Sequence, residues 1–231
     1  MDNPYLTGQT LLINKPLEWT SFDVVNKLRY SIKKRFQLKK IKVGHAGTLD
    51  PLASGLLIIC TGAHTKKIND YMGLPKEYTG TIRLGGNTPS YDLETQVSET
   101  FSTEHLTDEL ILANCHQFIG TVDQIPPLFS AIKKDGERAY ELARKGANIT
   151  LPSRKVEITE FEITKIEGLD IHFRVNCSKG TYIRSLAFDF GKSLDCGGHL
   201  AELRRTKIGT HLVENAQSVE AFINGLGEIQ A

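Results

Sequence analysis

The sequence lacks the residue spacings by which cysteine and histidine usually bind a metal. Its four cysteines form no Cys-x-x-Cys pair, and its seven histidines form no His-x-x-x-His or similar pattern. A structural or catalytic metal would normally need such a group of ligands. Unpaired cysteine spacings also favour reduced thiols in an intracellular protein. We therefore predict no metal site, and free thiols at Cys60, Cys115, Cys177 and Cys196.

Targeting and membrane-spanning segments are missing as well. The N-terminal residues, Met-Asp-Asn-Pro-Tyr, do not form the basic stretch and apolar stretch of a secretory signal. No apolar run approaches the roughly 20 residues that a bilayer-crossing helix requires. No internal repeat or low-complexity tract occurs either. These absences predict a soluble, cytoplasmic protein that does not bind a membrane.

A large excess of positive charge is also absent. The 231 residues include 28 basic and 27 acidic ones, for a net charge of +1. A strongly basic total would have indicated nucleic-acid binding. The distribution is nevertheless uneven, because lysines and arginines crowd the segment from Lys27 to Lys42. This segment suits a polyanionic substrate, but a solvated helix face is an equally good interpretation.

What the sequence does contain is one carboxylate, Asp50, within the segment GHAGTLDPLASG over 44–55. Its glycines allow a tight turn and a close approach to another molecule. Pro51 biases Asp50 towards an extended conformation, and the apolar run over 56–60 predicts a buried strand. A carboxylate on such a loop is typical of a reactive group. The same composition also suits a plain turn with a capping aspartate.

Hydrophobic periodicity predicts helices and strands in irregular alternation. A helix is expected to begin at 20–21 and to carry Phe22, Val25, Leu28 and Ile32 at helical spacing. Further helices are predicted over 63–71, 103–118, 139–144 (ended by Lys145 and Gly146) and 182–194, with an amphipathic segment over 219–226. Strands are predicted over 10–14, 56–61, 78–84, 156–166 and 170–177. We therefore predict an α+β fold with a mixed or largely antiparallel sheet.

Five blocks occur in an order typical of one family. They are LINKP and WTSFDVV within 12–25, the Asp50 segment over 44–55, KEYTGTIRLG over 76–85, QIPPLFSA over 124–131, and KGTYIRSL over 179–186. Together they resemble the bacterial TruB family of tRNA pseudouridine synthases across residues 11–209. The resemblance implies the pseudouridine synthase fold, a mixed, largely antiparallel sheet flanked by helices with a central catalytic cleft. It also implies isomerisation of the tRNA T-loop uridine at position 55, after base flipping, with no cofactor.

The resemblance assigns roles to individual residues. Asp50 matches the catalytic aspartate, Arg184 the arginine that pairs with it, and Tyr78 the tyrosine that stacks on the flipped base. His45 matches the histidine that is inserted where the base has left. The remaining matched residues, expected to act as scaffold and RNA contacts, are Lys15, Tyr182, Arg204 and Arg205. Further RNA contacts are expected at Lys33, Lys34, Lys39 and Lys40.

Three positions depart from the family pattern. Glu18 stands where relatives commonly have glycine, and Ala46 and Ser54 stand where they commonly have threonine. Glu18 leaves the local backbone shape and the phosphate contact there open.

Only about two dozen residues, 210–231, follow the last motif, too few for another core. We therefore predict one catalytic domain, 1–231, without the C-terminal PUA domain of many relatives, and salt-sensitive binding of tRNA through its T-arm.

Two other functions stay open from the sequence. One is a non-catalytic RNA-binding module that retains the pocket, although the presence of both Asp50 and Arg184 argues against it. The other is the guide-dependent relative that works in a ribonucleoprotein and uses extra terminal regions for its partners. We predict instead a monomer that acts on bare tRNA, with no guide RNA and no obligate protein partner.

Overall fold

The computed structural model describes residues 3–130, 132–134, 136–144 and 151–226. The predicted helix end at Lys145 and Gly146 and the last part of the tail, 227–231, lie outside the described residues. The chain divides into two compact units. The discontinuous unit contains the residues up to Tyr78 and those from Leu203 onward, and the continuous unit contains Thr79–Glu202.

The helices and strands follow each other along the described chain in an irregular order, as the periodicity predicted. They are α1 (Pro4–Thr7), β1 (Thr10–Lys15), α2 (Ser21–Arg35), β2 (Val43–His45), β3 (Ala53–Thr61), α3 (Ile68–Gly73), β4 (Lys76–Leu84), β5 (Gly86–Asn87), β6 (Glu99–Thr100), α4 (Asp108–Asn114), β7 (Gly120–Gln124), β8 (Lys133–Lys134), β9 (Glu137–Arg138), α5 (Ala139–Arg144), β10 (Arg154–Glu167), β11 (Asp170–Cys177), α6 (Ile183–Ser193), β12 (Gly198–Ile208), β13 (His211–Leu212), β14 (Gln217–Ser218) and α7 (Val219–Gly225). Short 3-10 helices cover Gly62–Lys67, Cys115–Phe118 and Val213–Asn215.

The sheet of the discontinuous unit has the strand order β14-β1-β3-β12. Strand β1 pairs antiparallel with β3 along its whole length, from Thr10 opposite Cys60 to Lys15 opposite Gly55. Strand β14 pairs parallel with β1, and the middle of β12, from Leu203 to Arg205, pairs parallel with the start of β3. Strand β2 pairs antiparallel with β3. The beginning of β3 therefore lies beside both β1 and β12.

Both faces of β3 are buried, as its continuous apolar sequence predicted. On one face, Leu57 and Ile59 pack in a cluster with residues of α2 and α7. On the other face, Leu56, Ile58 and Cys60 pack with the cluster around Ile208. Alternate side chains of a strand point to opposite faces, so this strand is covered by apolar groups on each side.

The start of α2 confirms the predicted helix boundary. Thr20 and Asp23 form a reciprocal capping box, in which the Thr20 hydroxyl accepts from the Asp23 N–H at 3.0 Å and the Asp23 carboxylate accepts from the Thr20 N–H at 2.9 Å. The apolar face was predicted less well. Phe22 is exposed, and Val24 takes its place beside Val25 and the later apolar residues, since they complete the stripe that faces the sheet.

The continuous unit contains the strand order β4-β11-β10-β7. The predicted hairpin is confirmed, because β10 pairs antiparallel with β11. Its core includes a group of edge-packed phenylalanines, Phe118, Phe161, Phe173 and Phe190. The strand pairs are thus partly antiparallel and partly parallel, with helices among them, and the predicted mixed α+β fold is confirmed.

The predicted helix over 103–118 was wrong at its start, whereas helical backbone does end at Phe118, as a 3-10 helix. Helix α4 begins at Asp108, because the Thr107 hydroxyl caps it by accepting from the Leu110 N–H at 3.2 Å. Thr103 instead belongs to a turn, in which its carbonyl accepts from the Leu106 N–H. After Asn114 the chain tightens into a 3-10 helix. Two threonines with similar local surroundings competed for the cap, and the local pattern alone did not separate them.

Within the described residues, no helix has both the length and the apolar character needed to span a membrane.

Gly55 gives a direct test of the contact between β3 and β12. Its φ is +107°, and an added Cβ would lie 2.3 Å from the carbonyl oxygen of Arg205. We expect Gly55→Ala to lower the free energy of unfolding by about 1–3 kcal/mol from backbone strain alone, with the steric clash in addition. Gly73→Ala is the matched control, because a Cβ there has no neighbour within 4 Å. Urea denaturation of both variants measures the difference, and equal losses would contradict the predicted close contact.

Candidate active site

Asp50 lies in the loop over 46–52 that joins β2 to β3. Its side chain is partly exposed, and its carbonyl accepts from the Ala53 N–H at 3.0 Å. The neighbouring Leu49 is held from outside the loop by the buried Ser21 hydroxyl. This hydroxyl accepts from the Leu49 N–H at 2.8 Å and donates to the Leu49 carbonyl at 3.1 Å. Because Ser21 is the first residue of α2, the helix start fixes the position of the loop.

Arg205, on β12, holds the backbone that precedes Asp50. Its side chain is 1% exposed. The guanidinium donates to the carbonyls of Leu56 at 2.8 Å, Gly47 at 3.1 Å and Thr48 at 3.4 Å. A buried cation is tolerated when polar groups replace its hydration, and here main-chain carbonyls do so. The carbonyls of the loop must therefore point inward, towards the arginine.

Lys15, at the end of β1, holds the backbone that follows Asp50. Its side chain is fully buried, and the ammonium donates to the carbonyls of Trp19 at 2.5 Å, Pro16 at 2.9 Å and Pro51 at 3.5 Å. Burial lowers the pKa of Lys15 to about 8, against the opposing effect of the Asp50 charge. Lys15 is therefore mainly protonated at pH 7, with Asp50 close enough to influence its charge.

The RNA contact predicted for Lys15 and Arg205 needs correction. Both side chains are almost completely buried, and both use their donors on main-chain carbonyls. Phosphate contact requires exposed donors, so of the two roles expected for these residues the structure supports the scaffolding role. Arg204, on the opposite face of β12, is half-buried and lies 3.4 Å from the oxygens of Asn14 and Ser54. It stays a candidate for RNA contact.

The structure shows the backbone conformation at Glu18, which the sequence had left open. Its φ is +66°, in the left-handed region that glycine adopts more readily than other residues. The Glu18 N–H donates to the Pro51 carbonyl at 2.8 Å. The chain thus makes a glycine-like turn with a glutamate, and this turn contacts the residue that follows Asp50.

His45 and Tyr78 also belong to the discontinuous unit. His45 ends β2 and is half-buried. Burial, helped by the positive charge of Arg205, lowers the pKa of His45, so the imidazole is neutral at pH 7. Tyr78 lies on β4 and its side chain is largely buried. Insertion of His45 into RNA and stacking of a base on Tyr78 stay predictions.

Arg184 lies in the continuous unit, in the first turn of α6, where it is 4% exposed. Its Nε is 3.6 Å from the Asp92 carboxylate. It also donates to the carbonyls of Phe129 at 2.9 Å and Ser90 at 3.3 Å. Asp92 is itself 5% exposed and accepts from the Glu94 N–H at 2.9 Å. This buried pair accounts for the presence of a cation at a helix start, which the helix dipole disfavours.

Asp92 was not predicted as a partner of Arg184. Asp92 follows a turn segment, NTPSY over 87–91, and this composition does not indicate a buried charge pair. Asp50 and Arg184 belong to different units. The pairing of these two residues stays a prediction.

Tyr182 caps the start of α6 through its backbone. The Gln124 side chain accepts from the Tyr182 N–H at 2.7 Å and donates to its carbonyl at 2.9 Å. The Arg154 guanidinium lies over the tyrosine ring, 4.4 Å from its centroid, and donates to the Gly180 carbonyl. The proline-containing block that begins at Gln124 therefore positions α6. Its last residue, Ala131, lies outside the described residues.

The four lysines that were predicted to contact RNA differ in their exposure to solvent. Lys34, Lys39 and Lys40 are exposed, and Lys33 is half-buried. Among the described residues, no group of three or more histidines, cysteines, aspartates or glutamates is arranged to hold a metal ion.

Comparison with known families identifies the chain. Residues 33–183 match the model of the TruB family pseudouridylate synthase N-terminal domain, and residues 184–223 match the tRNA pseudouridylate synthase B C-terminal domain. The chain belongs to the TruB family. The family resemblance that the five sequence blocks indicated is confirmed.

Curated relatives of this TruB-family chain match it almost end to end. A protein named tRNA pseudouridine synthase B from Flavobacterium johnsoniae is 59% identical over 223 residues, which cover 96% of this chain and 97% of the relative. A protein of the same name from Phocaeicola vulgatus is 52% identical over 93% of this chain and 92% of the relative.

Solved structures support the fold. The crystal structure of a Cbf5-Nop10-Gar1 complex matches with a TM-score of 0.72 and 29% identity, over 95% of this chain. The structure of an H/ACA RNP bound to a substrate RNA containing 2'-deoxyuridine matches with a TM-score of 0.68 and 26% identity, again over 95% of this chain. This TruB-family chain spans 54% of the length of each of these two matched chains.

The burial of Lys15 predicts a specific pH dependence. The unfolded lysine has an ordinary pKa of about 10.4, whereas the folded one has a pKa of about 8. Between these values the unfolded chain binds more protons, so the contribution of Lys15 to stability increases with pH. We expect the free energy of unfolding of the wild type, relative to Lys15→Met, to rise between pH 8 and pH 10. Urea titrations at several pH values test this, and a difference independent of pH would contradict it.

The Arg184–Asp92 pair predicts a large cost of removing one buried charge. Asp92→Asn should lower the free energy of unfolding by about 3–5 kcal/mol, because the buried Arg184 then loses the charge of the Asp92 carboxylate. Asp123→Asn is the matched control, since Asp123 is 61% exposed and pairs with Lys155 at 3.2 Å. That variant should lose less than about 1 kcal/mol. Chemical denaturation compares the two, and similar small losses would contradict the buried pairing.

Proposed function

We propose that this protein is a tRNA pseudouridine synthase, an isomerase that converts the T-loop uridine at position 55 to pseudouridine. The curated relatives named tRNA pseudouridine synthase B support tRNA as the substrate, because they match over 92% or more of their length. The choice of the T-loop position rests on the family resemblance of the sequence blocks.

One structural observation carries the proposal. Asp50 projects from a loop whose carbonyls are held by buried cations on both sides, Arg205 before it and Lys15 after it. A reactive group needs such a rigid setting, because a small displacement from the reacting atoms reduces the rate strongly. The protonated Lys15 also supplies a positive charge near the carboxylate.

The chemistry requires no oxidant and no metal. The N1–C1′ bond of uridine breaks, the base rotates, and C5 forms a new bond to C1′. The proton on C5 leaves to a base, and N1 gains one. Asp50 acts on the sugar, either by bonding to C1′ or by removing a sugar proton, and the base stays within a closed pocket during both steps.

Other residues take supporting roles in this proposal. Tyr78 stacks on the flipped base, His45 fills the space that the base leaves, and Arg184 pairs with Asp50. The neutral state of the His45 imidazole suits insertion between stacked bases, because a neutral ring loses less hydration than a charged one. Tyr182 fixes the start of the helix that carries Arg184. The cations that would contact phosphates are the exposed Lys34, Lys39 and Lys40 and the half-buried Lys33 and Arg204.

In this proposal the protein acts on the T-arm of bare tRNA as a monomer and as one catalytic domain. Guide RNA and an obligate protein partner are not required. The near end-to-end match with relatives named for tRNA modification supports this assignment, whereas the chains of the ribonucleoprotein structures are about twice as long as the part that this chain matches.

Tritium release tests the function. A tRNA transcript labelled at uridine C5 should release tritium with the wild type and with Asp70→Asn, which removes an exposed carboxylate on α3. Asp50→Asn should release none while still retaining the tRNA on a filter. Replacement of the T-loop uridine by cytidine should abolish release by the wild type. Binding without release by the wild type would instead favour a non-catalytic RNA-binding module.

A further inference from the structure

The outer face of α2 carries an exposed aromatic ring that the proposed chemistry does not use. Tyr30 is 64% exposed. Large aromatic side chains with a polar end are favoured at binding surfaces, because one ring gives a large contact area at little entropic cost. The side chain is too exposed to contribute much to the core, so its stabilising role in the fold is small.

Tyr30 lines a surface concavity of about 410 Å³ that is rich in cations. Its polar lining residues are Asn26, Arg29, Lys33, Lys34 and Gln37. No carboxylate is among the lining residues. A second concavity of about 520 Å³ lies on the other side of Tyr30 and includes the carboxylates of Glu18 and Asp23. A polyanion is therefore favoured in the first concavity and disfavoured in the second.

Arg29 is held in place within this surface. Its guanidinium donates to the Asn26 side chain at 3.0 Å and to the Val43 carbonyl at 3.1 Å. It also lies 5.8 Å from the centroid of the Phe22 ring. These contacts fix the positive charge of Arg29 at a defined place beside Tyr30. Because the Arg29 side chain is already ordered, binding of a ligand there costs little further side-chain entropy.

The helix dipole explains only in part why Lys33 and Lys34 lie on this surface. Both lie in the last turn of α2, where cations interact favourably with the helix dipole. Arg35 lies in the same turn and donates to the Leu226 carbonyl at 2.9 Å, which anchors it to the fold. The dipole does not account for an exposed tyrosine or for a lining free of carboxylates. A partner with negative charges and flat apolar rings accounts for both features.

We propose that this concavity is an RNA-binding subsite, in which an unpaired base stacks on Tyr30 and an adjacent phosphate lies between Lys33 and Lys34. The combination of an aromatic ring and neighbouring cations is typical of single-stranded nucleic-acid binding. The identity of the RNA as tRNA rests on the proposed function. The subsite uses residues other than those around Asp50, so it contributes to affinity and orientation and not to bond breaking.

The affinity for tRNA tests the subsite. Binding is measured by filter retention of a labelled tRNA transcript at several salt concentrations, with every variant made in the Asp50→Asn background so that no turnover occurs. Tyr30→Ala should weaken binding about 5- to 150-fold, as loss of one stacked base predicts. Tyr30→Phe keeps the ring and should stay within about twofold of the parent. The double variant Lys33→Gln, Lys34→Gln removes one phosphate contact and should reduce the slope of log affinity against log salt by about 0.7.

A matched pair of lysines gives the charge control. Lys66 and Lys67 are exposed on the 3-10 helix before α3, outside the concavity. Changing both to glutamine alters the net charge equally and should leave the salt slope close to that of the parent. An equal loss of slope in the two double variants would overturn the subsite, because it would show a general effect of charge.

Two results would contradict the proposed stacking of a base on Tyr30. Unchanged binding by Tyr30→Ala would overturn it, as would an equal loss in Tyr30→Phe. These affinities are independent of the tritium assay. A wild type that releases no tritium would remove the proposed enzyme activity, whereas the affinity series would still decide whether the α2 surface binds RNA.

Discussion

Two buried cations determine the shape of the Asp50 loop, and the geometry of the candidate site depends on them. A charge removed from water needs polar partners, and an unpaired one costs several kcal/mol, roughly. For Arg205 and Lys15 these partners are main-chain carbonyls on either side of Asp50. The loop therefore cannot relax without leaving a cation unsolvated. Ser21 adds a third constraint through the backbone of Leu49. A flexible, glycine-containing segment is thereby held in one conformation.

Elements with strong local signals could be predicted from the sequence. Strand β1, the buried strand β3 and the start of α2 each have a local pattern that needs no distant partner. These patterns are a short apolar run followed by Lys15 and Pro16, a longer continuous apolar run, and a capping threonine with an acidic residue in the first turn. The β10–β11 hairpin is of the same kind, because its turn lies between two alternating runs. Where two local signals were equal, the prediction was wrong. Thr103 and Thr107 both suit a helix cap, and the structure has Thr107 as the cap.

The candidate site was predictable in its motifs but not in its contacts. The segments around Asp50 and Arg184 carry enough sequence detail to indicate a family, and the family match confirms it. Nothing in the sequence near Lys15 or Arg205 indicates burial, since basic residues are normally exposed. The carbonyls that hold Arg205 lie far away along the chain, and Lys15 combines one distant carbonyl, that of Pro51, with two nearby ones. The Asp92–Arg184 pair likewise joins two residues that lie far apart along the chain. Long-range pairing of polar groups leaves no periodic pattern in the sequence, so a periodicity argument does not find it.

The discontinuous unit has a consequence for when the site forms during synthesis. The Asp50 loop leaves the ribosome early, but the arginine that holds its carbonyls belongs to β12, after the whole continuous unit has been made. Until β12 pairs with β3, the carbonyls of Gly47 and Thr48 have no buried donor. The continuous unit is an uninterrupted stretch, Thr79–Glu202, and can collapse before that point. The nascent chain thus lacks the buried donor that holds the Asp50 loop until β12 has been synthesised and has paired with β3.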